Sequence, residues 1–462
     1  MVELRLDEIA RRMKGTLLQG DPGRTFQAFN FDSRQTTAGE LFFAVVAERD
    51  GHDFVPKAWH KGAGGAVISR EVTIPDPSFG LVRVPDTVAG LQALAAETLR
   101  HQGLKVVGIT GSAGKTTTKE FTAALLGGRF QVLKSSGNYN NHLGLALAVL
   151  GLEEKHDLAV LEMAMRGPGE IRRLTRVAPP DIAVITNINP VHLAFFRSLE
   201  EIGAAKREIL EGTKVDGKAV LNYDDPLVRQ AVADWTGEKI FFGLSPGCPV
   251  RAERLRPRGY NGLEFTLHLD REKERVRIPF FYDSFVFNLL AACGVAFGLG
   301  LTMADILPRL ALLRPFSQRG SLVHLYQNIA LLDDSYNSNP RALESALKGA
   351  SRLPAKRKVA ILGDMMELGP REAEYHQEAG RKAARLGFRM VITVGPLAGL
   401  MAEGSIAAGL KRKGVHSFDT AEEAAEAVGS LLRRGDLILV KGSHGVHLEK
   451  IVAKIKDVIK EI

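Results

Sequence analysis

Residues 106–117 read Val106-Val107-Gly108-Ile109-Thr110-Gly111-Ser112-Ala113-Gly114-Lys115-Thr116-Thr117. Four apolar residues lead into a run of small ones, and the helical pattern resumes near Thr116. The stretch therefore predicts a strand that turns into a helix through a glycine-rich, lysine-bearing loop. Small residues there let successive backbone N–H groups face an anion at a helix N-terminus. Lys115 adds charge for the outer phosphates, and a threonine hydroxyl offers a magnesium ligand. The loop is shorter than the usual Gly-x-x-x-x-Gly-Lys-[Ser/Thr] form, because Ile109 stands where the first glycine would fall. Its place between a strand and a helix favours a nucleotide cradle over a plain turn. Gly111, Ser112, Ala113, Gly114, Lys115, Thr116 and Thr117 are its candidate residues for ATP.

Outward from the loop the same alternation repeats. Residues 158–163, 182–186 and 219–222 are short apolar runs between longer helical patterns, as in a parallel sheet covered on both faces. Past Leu313-Arg314-Pro315, residues 329–332, 359–362, 391–394 and 437–440 repeat it and predict a second doubly wound α/β unit. Upstream, residues 41–46, 65–69 and 81–84 read as strands and 88–100 as a helix, with His101-Gln102-Gly103 as a linker. The expected fold class is α/β in three domains, 1–102, 103–314 and 315–462, a division that a length of 462 residues supports.

Composition excludes several classes. A hydrophobic fraction of 45% and a charged fraction of 25% describe a globular chain rather than a disordered one. The net charge of +8 comes from scattered basic residues, so no nucleic-acid partner is expected. The densest segments, 251–258 and 271–277, are interleaved with Glu253, Glu272 and Glu274 and read as solvated loops. Cys248 and Cys293 lack a CxxC partner, which fits a reducing cytoplasm. Residues 1–14 have no continuous apolar core and do not read as a secretory signal. Residues 285–303 carry no charge over a length that could span a bilayer. Their glycines and Asn288 favour a buried helix, so no membrane insertion is expected.

In sheets of this kind ligands bind beyond the carboxyl ends of strands. Those ends are polar here: Glu162 after 158–161, then Asn187, Asn189 and His192 after 182–186. Asp333 to Asn339 follow 329–332, Asp364 and Glu367 follow 359–362, and Lys441-Gly442-Ser443 follows 437–440. Glu162, one strand from the loop, is the candidate carboxylate for magnesium beside Thr116 or Thr117, since a hard cation wants oxygen ligands. Taken alone, His192 reads as a hydrogen-bonded loop residue. Lys206, within Glu200-Glu201-Ile202-Gly203-Ala204-Ala205-Lys206-Arg207-Glu208, taken alone reads as a surface lysine in a helical charge pattern.

The ordered motifs change those readings. Thr110 to Glu120, Gly137-Asn138-Tyr139-Asn140-Asn141-His142-Leu143-Gly144, Thr186-Asn187-Ile188 with His192-Leu193, and Ala205-Lys206-Arg207-Glu208 together resemble the Mur ligase superfamily. Asp333-Asp334-Ser335-Tyr336-Asn337-Ser338-Asn339-Pro340, Leu362-Gly363-Asp364-Met365-Met366-Glu367-Leu368-Gly369 and Val440-Lys441-Gly442-Ser443 narrow the resemblance. They are similar to the branch that adds D-alanyl-D-alanine to UDP-N-acetylmuramoyl tripeptide. Asp32-Ser33-Arg34 and Asp50-Gly51-His52-Asp53-Phe54 extend it over essentially the whole chain.

The resemblance implies a UDP-binding α/β domain, a central phosphate-loop ATPase domain and a C-terminal Rossmann-like domain, working as a cytoplasmic monomer. It implies ATP-driven amide formation through an acyl phosphate. Lys115 would contact the phosphates, and Thr116 and Glu162 would serve one magnesium. A carbamylated Lys206, with His192, would serve a second; Lys115, Lys206 and His192 are the implied catalytic residues. Asn288 and Arg319 would hold ATP, joined by Asp334, Tyr336, Asn337 and Asn339 from the third domain, while Ser33 and Arg34 would hold the UDP moiety. His444 stands where the family usually has arginine, and with His447 it lacks a third metal ligand. The competing readings are a sibling ligase, such as the enzyme adding the third peptide residue or a folylpolyglutamate synthase, and a phosphate-loop ATPase that drives a conformational switch or binds nucleic acid.

Overall fold

The strand Lys105–Thr110 lies inside a nine-stranded sheet. The order along the sheet is Glu272–Ile278, Leu263–Leu269, Val250–Pro257, Glu238–Gly243, Lys218–Asn222, Ile182–Ile185, Lys105–Thr110, Leu158–Glu162 and Val132–Lys134. The seven strands from Val250–Pro257 to Val132–Lys134 are parallel, and the remaining two are added antiparallel. This computed structural model describes residues 2–135, 137, 139–191 and 195–460.

Period-two alternation along the parallel strands sorts side chains into two cores. Val107, Ile109 and Val160 face one, where the helix Asp283–Gly298 packs; Val106, Ala159 and Leu161 face the other, beneath the helices Gly144–Leu150 and Leu199–Glu211. The uncharged stretch 285–303, expected as one buried helix, is helical only to Gly298, the end of the helix Asp283–Gly298, and its last residue starts the helix Met303–Leu310; no helix among the described residues is long and apolar enough to cross a membrane.

Each core reaches into a neighbouring unit. On one side lies a five-stranded sheet, ordered Thr16–Gln19, Gly80–Arg83, Gly65–Ile68, Leu41–Phe43 and Phe29–Asn30, with the helix Thr87–Gln102 over it. On the other is a six-stranded sheet, ordered Ser321–Leu325, Ile329–Asp333, Asp436–Lys441, Arg357–Gly363, Met390–Val394 and Val415–Phe418, parallel except at its first strand. Its helix Pro340–Ser351 packs towards the central unit: Arg352 pairs with Asp283, and a Cβ at Gly349 would lie 2.4 Å from the Tyr282 ring.

Two expectations are corrected. Segments 251–258 and 271–277 are not solvated loops; they lie largely in the strands Val250–Pro257 and Glu272–Ile278. In the latter strand Val276 and Ile278 face the core while Arg275 and Arg277 face out, so dense charge marks the wet face of a half-buried antiparallel strand. Arg258, Arg275 and Arg277 converge there on the single carboxylate of Glu264, which they hold at about 2, Arg258 foremost. The residues 101–103 are not a free linker either. The helix runs through Gln102, and Gly103 ends it in the left-handed conformation.

Candidate active site

The phosphate loop is shaped by what crowds it. Gly111 has φ +148°, and a Cβ there would lie 1.9 Å from Thr186 Oγ1; Gly114 has φ +83°, and a Cβ would lie 2.2 Å from Asn288 Oδ1. Only glycine fits at both positions. The loop is then laced to the residues after the strand Ile182–Ile185. Ser112 N donates to Asn187 O at 3.0 Å and Ala113 N to Asn187 Oδ1 at 2.9 Å. Ala113 O accepts from Asn187 Nδ2 at 2.9 Å and Thr186 Oγ1 at 2.7 Å, while Asn189 N donates to Ser112 Oγ at 2.9 Å. The loop is thereby preorganised at the N-terminus of the helix Lys115–Leu126, where partial positive charge accumulates. Thr117 is buried in this helix.

Glu162 is only 2% exposed at the end of its strand. Thr116 Oγ1 donates to its Oε2 at 2.7 Å, and Asn140 Nδ2 to its Oε1 at 2.9 Å. Arg319, arriving from the segment that leads to the C-terminal sheet, donates through Nη2 to Thr116 Oγ1 at 3.2 Å and stacks over the Tyr336 ring at 4.0 Å. Lys115 Nζ donates to Gly111 O at 3.0 Å. Burial lowers its pKa, Arg319 adds to that, and Glu162 opposes it.

Lys206 lies on the helix Leu199–Glu211 and is 2% exposed, the opposite of a surface lysine. Lys206 lies beside buried Ala205 on the inward face of the helix, so the amine is desolvated. Burial first, and then the nearby Lys115, push its pKa well below the usual lysine value. Glu208, two residues on, accepts from Gly169 N at 2.6 Å and Arg172 N at 3.0 Å, which fixes the start of the helix Glu170–Val177. Among the described residues Lys206 has no hydrogen-bonding or ion-pairing partner. His192 lies outside the described residues.

The C-terminal unit brings its own strand ends to the same cleft. Lys441 Nζ donates to Asp334 Oδ2 at 2.7 Å and Asn337 O at 2.9 Å. Burial raises the Asp334 carboxyl above its ordinary range against the pull of Lys441. Asn337 Oδ1 accepts from Ser338 N and Asn339 Oδ1 from Ala342 N, so these two side chains shape the loop and cap the helix Pro340–Ser351. His444 meets the Tyr336 ring edge-on at 5.6 Å. No group of three or more His, Cys, Asp or Glu suited to a metal occurs among the described residues.

Sequence reasoning missed two residues at this junction. Asn140 falls within the run 137–144 that helped carry the resemblance, but no role was drawn from it. Arg341 Nη1 donates to Asn189 Oδ1 at 2.5 Å and approaches Asp225 at 4.0 Å, tying the C-terminal unit to the segment that laces the phosphate loop. A lone arginine in a first helical turn gives no signal for that contact.

Ser33 and Arg34 lie in the N-terminal unit, apart from this cluster. Ser33 is buried, while the Arg34 fork is exposed and closes on Asp32 at 2.9 and 2.8 Å, holding that carboxyl at about 2. Nearby, His52 Nε2 accepts from Ser69 N at 2.8 Å, so its Nδ1 carries the proton donated to Asp50 at 2.5 Å.

A preorganised anion cradle, a buried carboxylate beside it and a second α/β unit meeting the same cleft define a nucleotide-dependent enzyme built from several α/β units. The Mur ligase middle domain family matches residues 109–296, and the Mur ligase glutamate ligase domain matches residues 318–444. The UDP-N-acetylmuramoyl-tripeptide–D-alanyl-D-alanine ligase of Bacillus subtilis (strain 168) is 34% identical over 463 residues, spanning 100% of this chain and 99% of that protein. The ligase of the same name from Escherichia coli (strain K12) is 32% identical, spanning 99% of each. A crystal structure of MurF from Acinetobacter baumannii superposes with a TM-score of 0.89 at 27% identity over 99% of both chains. MurF ligase from Thermotoga maritima in complex with ADP gives 0.82 at 30% identity, over 93% of this chain and 97% of that one. The chain belongs to the Mur ligase family, in its MurF branch, and is an ATP-dependent amide-bond-forming ligase.

Proposed function

We propose that this ligase joins D-alanyl-D-alanine to UDP-N-acetylmuramoyl tripeptide in the cytoplasm, as a monomer, during peptidoglycan precursor synthesis. The relationship to ligases of that name along the whole chain carries this reading. A carboxylate is a poor acyl donor until phosphorylated. One oxygen of the tripeptide's terminal carboxylate attacks the γ-phosphorus of ATP, ADP departs, and an acyl phosphate forms. The dipeptide amine then attacks the acyl carbon, loses a proton and expels phosphate.

The residues of the cleft suit those steps. The backbone N–H groups of residues 111–115, with Lys115, neutralise the phosphates. Asn288 supports Gly114 from beneath, Arg319 reaches the loop from the far side, and Asp334, Tyr336, Asn337 and Asn339 form or brace the wall facing the nucleotide. Thr116 and Glu162 are few, hard oxygen donors, which fits a magnesium that keeps phosphate oxygens in its shell; bound there, it would spread the charge that builds between two anions. For a second ion the fitting observation is Lys206, whose buried amine is held towards its neutral form. A neutral amine adds carbon dioxide and loses a proton to give a carbamate, which turns a cation into an oxygen donor; His192 joins it by the family pattern. Residues 1–102 form the UDP-binding domain, where Arg34 trades Asp32 for phosphate beside Ser33. Residues 103–314 and 315–462 form the two domains that enclose ATP.

The test is ADP release with magnesium-ATP and UDP-muramoyl tripeptide, with and without D-alanyl-D-alanine, in parallel for lysine-type and diaminopimelate-type tripeptides. Release that requires the dipeptide and yields a pentapeptide supports the assignment. Hydrolysis indifferent to the dipeptide, or silence with both tripeptides, contradicts it.

A further inference from the structure

We infer that Asn140 is a positioning residue for Glu162 and sets the site's affinity for a divalent cation. The inference rests on the reading above that Glu162 serves magnesium. Asn140 is clamped twice to the end of the strand Leu158–Glu162: its side-chain Nδ2 donates to Glu162 Oε1 at 2.9 Å, and its backbone carbonyl accepts from Ala164 N at 2.9 Å. A carboxylate only accepts, so the amide must present its NH2 end, and an aspartate could not do the same without protonation. The other oxygen, Oε2, accepts from Thr116 Oγ1 at 2.7 Å. With one fixed donor on each oxygen the carboxylate plane is set. The Thr116 proton is committed to it, which leaves the hydroxyl's lone pairs for Arg319, at 3.2 Å, and for a cation.

Ser135 also meets the end of that strand and is tied to the phosphate-loop helix. Lys119, fully buried four residues after Lys115, donates through Nζ to Ser135 O at 2.6 Å, and Glu162 N reaches Ser135 Oγ at 3.4 Å. Beyond it, a Cβ at Gly144 would lie 2.6 Å from Tyr139 Cα, so the turn back into the helix Gly144–Leu150 is close-packed. The amide is therefore held between its backbone bond to Ala164 and the close-packed turn at Gly144, as a residue that orients a metal ligand requires; loss of such a partner commonly weakens metal binding about 10–100-fold.

Manganese(II) binding to the full chain with ADP, followed by electron paramagnetic resonance, tests this with Asn140→Ala, Asn140→Ser and Glu162→Gln. Both Asn140 variants should weaken binding by about 10–100-fold. In turnover they should raise the half-saturating magnesium while leaving the KM for ATP at saturating metal unchanged, a split that general loosening would not give. Binding within about twofold of the parent in the Asn140 variants, with Glu162→Gln still impaired, overturns the inference and spares the role of Glu162. Unimpaired binding in Glu162→Gln overturns that role as well. Loss of fold in both Asn140 variants overturns positioning in favour of a structural part.

Discussion

Two lysines sit at the cleft with nearly equal burial, Lys206 at 2% exposure and Lys441 at 3%, in opposite electrostatic settings. Lys441 is paired with Asp334 and capped by the Asn337 carbonyl. Lys206 faces burial and Lys115, and both drive it towards the neutral amine. Desolvating an ammonium is costly unless an anion compensates it. The paired lysine is thus a strut that holds the loop after the strand Ile329–Asp333, whereas the lysine without a described partner is pushed towards the neutral amine, the form the proposed carbamate requires.

The two lysines should differ most in activity. Lys206→Ala should lower turnover at least about 10²–10³-fold, the scale of losing a preorganised charge stabiliser, with the fold intact. Short carboxylic acids added to the assay should partly restore it. Normal turnover would remove the carbamate.

Stability gives the reverse ranking. Lys441→Met strands a buried carboxylate and should cost about 3–5 kcal/mol in denaturant unfolding, and Asp334→Asn in the same chain should recover part of it. A loss as small as that of an exposed ion pair would make Lys441 no strut.

The pH dependence separates the two lysines further. The Lys206 pKa is lower folded than unfolded, so folding releases its proton. Its share of stability therefore rises with pH, from the depressed folded value up to the ordinary lysine value near 10.4. In carbonate-free buffer Lys206→Met should be more stable than the parent at neutral pH, with the advantage fading as pH approaches that value. Bicarbonate should stabilise the parent and not the variant. A pH-independent difference between the two would contradict a neutral buried amine.

The smallest effect belongs to Arg341, which joins the unit of Lys441 to that of Lys206. Its side chain is 63% exposed, so Arg341→Ala should cost about 1 kcal/mol at most, roughly a fivefold rise in the KM for ATP, with kcat little changed. An unchanged KM would show that the Asn189 contact does not couple the units.

The parallel strands were legible because each is a short apolar run between helical patterns, and the phosphate loop because its glycines must be glycines: Thr186 and Asn288 occupy the space a side chain would need. The antiparallel extension was misread because Arg275 and Arg277 alternate with only two core residues, so charge density masked period two. The environment of Lys206 was not readable at all from its own segment. Glu200, Glu201 and Glu208 suggest a wet helix face, but Glu208 turns inward to cap another helix and Lys206 is covered by tertiary packing. Family motifs, rather than local pattern, pointed to it. The roles of Arg341 and Asn140 went unread for a related reason, although Asn140 lies in a quoted motif: their partners, Asn189 and Glu162, are distant in sequence and are met only through the fold.

In the proposed reaction a carboxylate is activated by phosphorylation before an amine attacks it. The direct measurement uses UDP-muramoyl tripeptide with its terminal carboxylate labelled with oxygen-18, magnesium-ATP and D-alanyl-D-alanine, followed by mass analysis of the released phosphate. Transfer of one labelled oxygen to phosphate for each amide formed is the predicted result. Unlabelled phosphate alongside amide product would contradict the acyl phosphate, and with it the account of the site.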